Sequence, residues 1–204
     1  LRNSSAASDV YKRQYLCLLV SGGHTQIIKC SEYGNYRILG ETIDDACGEA
    51  FDKVGKLLNL EYPGGPKVSI LAEGGDPTRF NFPRALMKDR NLNFSFSGLK
   101  TAVLYALDDL EEKDYPDVAA SFQEAVIDVL IKKLAYAIEE TGIKKLVCSG
   151  GVAANRLLRE RLTDMCKTSE LEVSYPKMEF CTDNAAMIAY AGFIRKKYNL
   201  KEYP

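Results

Sequence analysis

The sequence predicts an α/β domain in which a mixed β-sheet is flanked by helices. Three observations carry that expectation. The apolar residues read as a strand hairpin, then helices, then strand, helix, strand and helix along the chain. Two of the apolar strands end in the same tripeptide, Ser-Gly-Gly. A chain of 204 residues, 46% of them hydrophobic, is also long enough to bury a substantial core.

Residues 1–14 are small and polar without an apolar period, and are expected to be a disordered extension or an artefact, with the folded unit at 15–204. The run 15–20 is a short apolar strand; Ser21-Gly22-Gly23-His24 interrupts it, and 25–29 alternates like a half-buried strand, which together make a hairpin. A third strand at 36–39 extends it. Residues 44–60 place Ala46, Ala50, Phe51, Val54, Leu57 and Leu58 at helical spacing, with Asp45, Glu49, Asp52 and Lys56 on a polar stripe. Gly48 and Gly55 inside that helix each cost up to about 1 kcal/mol relative to Ala, which predicts close approach of another backbone. Tyr62-Pro63-Gly64-Gly65-Pro66 is expected to end the helix.

Residues 74–96 read as an ordered loop or small hairpin that packs Phe80, Phe82, Phe94 and Phe96. Helices follow at 97–111 and 116–141, the second framed by Pro116 in its first turn and Gly142 past its end. Then come a strand at 145–148, Gly150-Gly151, a helix at 153–166, a strand at 171–175 and a last helix from 182.

Composition excludes several functions. Lys and Arg total 27 against 28 Asp and Glu, so the net charge is −1 and the chain is no bulk polycation. No apolar run approaches the roughly 18 residues that cross a bilayer, so no membrane partner is expected. One histidine, His24, rules out a multi-histidine metal site within this chain. The six cysteines form no CxxC and read as reduced thiols, which predicts a cytoplasmic protein. The chain opens on Leu1 rather than Met and is expected to be a piece of something longer.

The repeated feature is Leu18-Leu19-Val20-Ser21-Gly22-Gly23 and Lys145-Leu146-Val147-Cys148-Ser149-Gly150-Gly151. Paired glycines at strand ends admit a ligand to backbone amides, and a following helix favours phosphate. Two ordinary tight turns explain the same residues. Asn155 after the second copy is placed to bond a ribose or base. His24 is either a donor beside the first loop or simply a satisfied polar residue. Asp52 matters only if its stripe faces the glycine loops, and Asp183 suits a helix cap as well as a metal. Ser97-Gly98-Leu99-Lys100 matches the SxxK pattern of penicillin-binding enzymes, but Lys167-Thr168-Ser169 precedes Thr182-Asp183-Asn184, reversing the order of the partner motifs. The basic residues Arg79, Arg84, Lys88 and Arg90, and Arg195-Lys196-Lys197, are scattered support for nucleic-acid contact, with solvated charge as the plainer account.

Six ordered segments go further: LVSGGHTQ (19–26), ETIDDACGEAFDKVGKLL (41–58), YPGGP (62–66), FSFSGLKT (94–101), SGGVAANRLLR (149–159) and EFCTDNAAMIAYAG (179–192). Over about residues 15–198 they resemble the tRNA adenosine threonylcarbamoyltransferase (TsaD) family. The resemblance implies an actin-like ATPase (ribonuclease H-like) fold, this chain being mostly the second lobe of a two-lobed enzyme. It implies transfer of a threonylcarbamoyl group from threonylcarbamoyl-adenylate to the exocyclic amine of the adenosine beside the anticodon, in tRNAs that read codons beginning with A. Carried over by motif, Leu19, Val20, Ser21, Gly22, Gly23, Asp52, Gly65 and Asn155 would hold the adenylate or an ATP-like nucleotide. Asp183 would be one ligand of a divalent metal, iron or zinc, acting as a Lewis acid. Implied partners are tRNA, the scaffold paralogue TsaB and the ATPase TsaE. In the family an HxxH helix ahead of the first glycine loop supplies the other metal ligands. This sequence lacks it, so the chain is expected to be truncated, poor in metal and inactive by itself. A kinase or ATPase of the same superfamily and a non-catalytic scaffold are the alternatives.

Overall fold

The computed structural model describes residues 14–181 and 184–200. Five strands form one mixed sheet: β1 (Tyr15–Val20), β2 (Thr25–Glu32), β3 (Asn35–Glu41), β4 (Lys145–Ser149) and β5 (Glu172–Ser174), in the order β3-β2-β1-β4-β5. β1 pairs antiparallel with β2 and parallel with β4; β3 continues the antiparallel side and β5 the parallel side. This is the α/β lobe that the sequence predicts. The alternation of β1 buries Leu16, Leu18 and Val20 on one face, where they join Ile27, Leu146 and Cys148 under the helices.

The helices are α1 (Cys47–Leu57), α2 (Gly64–Ala72), α3 (Ser97–Leu107), α4 (Tyr115–Thr141), α5 (Arg156–Ser169) and α6 (Ala185–Lys197). α4 is the spine of the core: Val118, Phe122, Val126, Val129, Leu130 and Ala137 are buried along it. It ends at Gly142, whose φ of 66° suits glycine beyond a helix terminus. Lys133, fully buried on α4, donates to the carbonyls of Asp89 (2.9 Å) and Asn91 (2.6 Å), tying down the long loop before α3. That loop is irregular as expected, with Phe82, Phe94 and Phe96 buried and Phe80 partly so.

Several element boundaries differ from expectation, each for a local reason. α1 starts at Cys47 rather than residue 44, because Asp44 turns away to the loop before α3: it accepts from the Ser95 and Ser97 hydroxyls and from the Phe96 and Ser97 amides. α1 stops at Leu57, where Leu60 N–H donates to the Gly55 carbonyl and Asn59 N–H to Lys56 around a left-handed Asn59. α3 ends at Leu107, short of residue 111, and a 3₁₀ turn at Glu112–Asp114 leads into α4. The second glycine pair enters a 3₁₀ turn (Gly151–Ala154), so α5 begins at Arg156 rather than 153. α6 begins at Ala185, its first turn capped by Asn184 accepting from Met187 N–H. The expectation for residues 1–14 falls, apart from Gln14, outside the described residues.

α2 is an element the sequence reading did not anticipate. The segment that ends α1 also starts a helix: Pro66 sits in the first turn, where its missing N–H costs nothing. Pro63 has no side chain to cap that start, and Asp52 does it from α1, accepting from Gly64 N–H (2.8 Å) and Gly65 N–H (3.2 Å). The two in-helix glycines of α1 have the reason predicted for them. A Cβ on Gly55 would lie 2.8 Å from Gly64 Cα, and one on Gly48 would lie 2.6 Å from the Ser21 carbonyl oxygen.

Candidate nucleotide site

Because β1 and β4 are neighbours and run parallel, with Leu19 opposite Ser149, their ends emerge together at one edge of the sheet. Both Ser-Gly-Gly units therefore lie side by side. Val20 is fully buried, and its carbonyl oxygen would be 2.2 Å from a Cβ on Gly150, so the second loop rests directly on the end of β1. In the first loop Ser21 N–H donates to the His24 carbonyl (2.8 Å), and the Ser21 hydroxyl oxygen accepts from the amides of Gly23 (3.3 Å) and His24 (3.0 Å). Around Gly22 and Gly23 the space is open. His24 itself is exposed at the rim.

α1 packs its amino end on this loop. Gly48 N–H donates to the Ser21 carbonyl (3.2 Å) and Cys47 N–H to the Thr25 hydroxyl (2.8 Å). The polar stripe of α1 then faces the loop, which is the condition under which Asp52 becomes interesting. A cleft of about 500 Å³ opens between Gly22, Glu49, Asp52, Lys56, Tyr62 and Gly64. Both hydrogen bonds that Asp52 makes fall on Oδ1. Lys53, also in the wall, is shared between Asp45 (2.7 Å) and Glu49 (2.9 Å).

Asn155 stands at the other loop, capping α5: its Oδ1 accepts from Leu158 N–H (3.0 Å). Its Nδ2 donates to Ser69 Oγ (2.7 Å) and Gln123 Oε1 (2.8 Å), beside a second cleft of about 460 Å³ between α2, α4 and α5. Ser69 and Gln123 were invisible to motif reading, since they lie 86 and 32 residues from Asn155 with no local pattern. Gly65 lies in the first turn of α2, with its amide on Asp52.

Other candidates resolve chemically. The Ser97 hydroxyl donates to Asp44 Oδ2 (2.8 Å), so its proton is directed to a carboxylate rather than to Lys100. Partial burial acts to raise the Asp44 carboxyl, but the hydrogen bonds from Ser95, Phe96 and Ser97 outweigh it and leave the group below its ordinary value. Burial pushes the Cys17, Cys47 and Cys148 thiols up to about 12, so at neutral pH they are packing groups and not nucleophiles. Arg79 pairs with Asp114 and Asp117, Arg84 with Asp128, and Arg90 with Glu139, so the three arginines of the basic stretch before α3 are matched by carboxylates. Asp183 lies outside the described residues. Among those described, no group of three or more His, Cys, Asp or Glu is arranged to hold a metal ion, so the residues in view do not by themselves fit one.

Comparison with known proteins identifies the family. The sequence model of the family described as TsaD, tRNA N6-adenosine threonylcarbamoyltransferase, matches residues 4–190. A protein of that name from Herminiimonas arsenicoxydans is 49% identical over 197 residues, covering 95% of this chain and 58% of the relative. One from Methylobacillus flagellatus is 53% identical over 188 residues, covering 90% and 56%. The chain thus spans a little over half the length of these curated relatives. Among solved structures, full-length HypF in its phosphate- and nucleotide-bound form superposes with a TM-score of 0.68 at 14% identity, over 91% of this chain and 33% of HypF, a likeness of fold alone. By sequence, the chain belongs to the tRNA N6-adenosine threonylcarbamoyltransferase family.

Proposed function

We propose that this chain is the nucleotide-holding lobe of an enzyme that moves a threonylcarbamoyl group from threonylcarbamoyl-adenylate to N6 of the adenosine beside the anticodon in tRNAs reading codons that begin with A. The observation that carries the reading is the pair of Ser-Gly-Gly strand ends on one sheet edge, next to a cleft walled by Asp52. In the reaction the adenosine amine attacks the carbamoyl carbon, a C–N bond forms, the bond from that carbon to the adenylate phosphate oxygen breaks, and the amine loses a proton as AMP leaves. Negative charge collects on the departing phosphate, and the Gly22 amide suits that charge. Leu19 and Val20 pair in the sheet and the amides of Ser21 and Gly23 bond within the turn, so these four shape the loop around it. Asp52 Oδ2 accepts from a ribose hydroxyl while Oδ1 keeps Gly64 and Gly65 in place. Asn155 meets the nucleoside from the second loop. Asp183 would contribute one ligand to the family's iron or zinc, whose bound form supplies Lewis acidity, and no step here is routed through it. The working assembly includes tRNA, a TsaB-type scaffold and a TsaE-type ATPase, in the cytoplasm. No described helix is long and apolar enough to cross a membrane. The test is mass spectrometry of nucleosides from tRNA incubated with the family-length protein, its partners and the donor. Threonylcarbamoyladenosine is the expected product; its absence from a fully supplied reaction sinks the reading.

A further inference from the structure

Two of the buried polar side chains among the described residues carry nitrogen, Lys133 and Gln123. Lys133 spends its amine on the carbonyls of Asp89 and Asn91. Gln123, 8% exposed on α4, does not spend its own: its oxygen is bonded, but Nε2 has no partner among the described residues. No side-chain nitrogen or oxygen sealed from solvent goes unbonded among those residues, so Nε2 stands open, and the space that Gln123 lines is the second cleft.

The backbone fixes the direction of that amide. Leu158 N–H can only donate, so Asn155 turns Oδ1 to it (3.0 Å) and Nδ2 the other way. Nδ2 donates to Gln123 Oε1 (2.8 Å) and Ser69 Oγ (2.7 Å), and the Ser69 hydroxyl donates to the same Oε1 (2.8 Å). With two donors on its oxygen, Gln123 cannot be reversed without setting N–H against N–H. Its nitrogen therefore faces the cleft as a pure donor, and the bonds to Asn155 and Ser69 need only the oxygen.

The cleft is about 460 Å³, within the roughly 300–1,000 Å³ of small-molecule sites. Ala72, Pro77, Ala120 and Leu157 give it apolar walls. Its charged lining is three carboxylates, Glu73, Glu124 and Glu160, against one guanidinium, Arg156, so it does not draw a phosphate. Glu73 is the least matched of the three, 3.9 Å from the guanidinium that bonds Glu160 at 2.8 Å, while Glu124 has Arg161. Such a space suits a flat, uncharged group with ring acceptors for Gln123 and an amine for Glu73, which describes adenine. Guanine sets an oxygen where adenine has its amine, and a carboxylate repels it. Position agrees with chemistry. Gly65, whose amide bonds Asp52, and Ser69 are four apart on α2, about 6 Å at 1.5 Å per residue. That is about the span from a ribose hydroxyl to its base.

We propose that Gln123 is a binding residue for the adenine base of the nucleotide, its Nε2 donating to a ring nitrogen in the cleft between α2, α4 and α5. This inference rests on the transferase reading, which puts Asp52 on the ribose and Asn155 beside the nucleoside, and adds the group that holds the base.

The experiment is calorimetric titration of the family-length protein with ADP, GDP and the 1-, 3- and 7-deaza analogues of ADP, with urea unfolding of the same preparations. Q123E keeps an oxygen for Asn155 and Ser69 but turns the other end of the side chain from donor to acceptor. At pH 8, to keep the new carboxyl ionised, it is expected to bind ADP about tenfold more weakly or worse, with its urea midpoint close to the parent. The parent is expected to prefer ADP to GDP, and to bind one deaza analogue about three- to tenfold more weakly than ADP. That analogue loses little more in Q123E, because the bond is already gone. Unchanged ADP affinity in Q123E overturns the proposal, as does a loss of affinity that comes only with a loss of stability. Parent affinities that are equal for ADP and all three deaza analogues, or for ADP and GDP, overturn it without any variant. A parent with the expected nucleotide pattern that makes no threonylcarbamoyladenosine in the fully supplied tRNA assay removes the transferase reading and leaves the base contact standing.

Discussion

A Cβ added to Gly22 or Gly23 meets nothing within 4 Å, whereas one added to Gly150 runs into the Val20 carbonyl oxygen at 2.2 Å. The two turns share a tripeptide and a sheet edge, yet only the second is locked into the fold by its glycine. Gly150 also sits at φ 98° and ψ 170°, a region that only glycine occupies without strain. Gly151 beside it is as open as Gly22. A repeated motif therefore divides into one position needed for packing and three that leave room for something to approach. Neither the tight-turn account nor the ligand-loop account covers all four glycines.

The largest effect expected from this contrast is at Gly150. In G150A the forced backbone costs about 1–3 kcal/mol and the clash with the end of β1 about as much again. Together these remove about 4 kcal/mol, a large part of the roughly 5–15 kcal/mol that holds a domain. Urea unfolding of G150A and G151A side by side measures it, with G151A close to the parent. If G150A falls within about 1 kcal/mol of the parent, the second turn is not locked and the contrast is lost.

The same division explains what the sequence disclosed. The hairpin, the paired Ser-Gly-Gly ends and the core face of α4 were legible because their signals are local: alternation, an apolar run stopped by glycines, and helical spacing between Pro116 and Gly142. Even the close approaches at Gly48 and Gly55 could be read from their cost inside a helix. α2 was not legible, because Tyr62-Pro63-Gly64-Gly65-Pro66 carries breaker residues, and the group that makes it a helix start is the Asp52 carboxylate on a different helix. The bonds from Asn155 to Ser69 and Gln123 are likewise products of the fold. Motif resemblance named Asp52 and Asn155 as ligand anchors, while the fold gives each a structural duty as well.

That double duty yields an intermediate effect. N155A removes the cap of α5, worth about 0.5–2 kcal/mol, and leaves the Ser69 and Gln123 partners short of a donor. A loss of about 2 kcal/mol is expected by urea unfolding, half or less of that at Gly150. A larger loss than in G150A inverts the ranking and makes the polar network, not the glycine, the device that secures the second turn.

The smallest change in stability and the clearest functional one are expected together at Gly22. Its φ is not in the left-handed region and its surroundings are empty, so alanine fits the folded backbone. Alanine also restricts the unfolded chain, which favours folding by about 0.4–1 kcal/mol where the native conformation is tolerated. G22A should therefore be as stable as the parent or slightly more so. The added methyl nevertheless stands at the mouth of the cleft it shares with Asp52 and Lys56, where a phosphate must come close to backbone amides. Adenine-nucleotide affinity should fall about tenfold or more, as read by calorimetric titration on the same preparation used for unfolding. A stable G22A that binds nucleotide as the parent does would show the open glycines of the first turn to be idle space, and the ligand would have to be sought at the second cleft, beside Asn155.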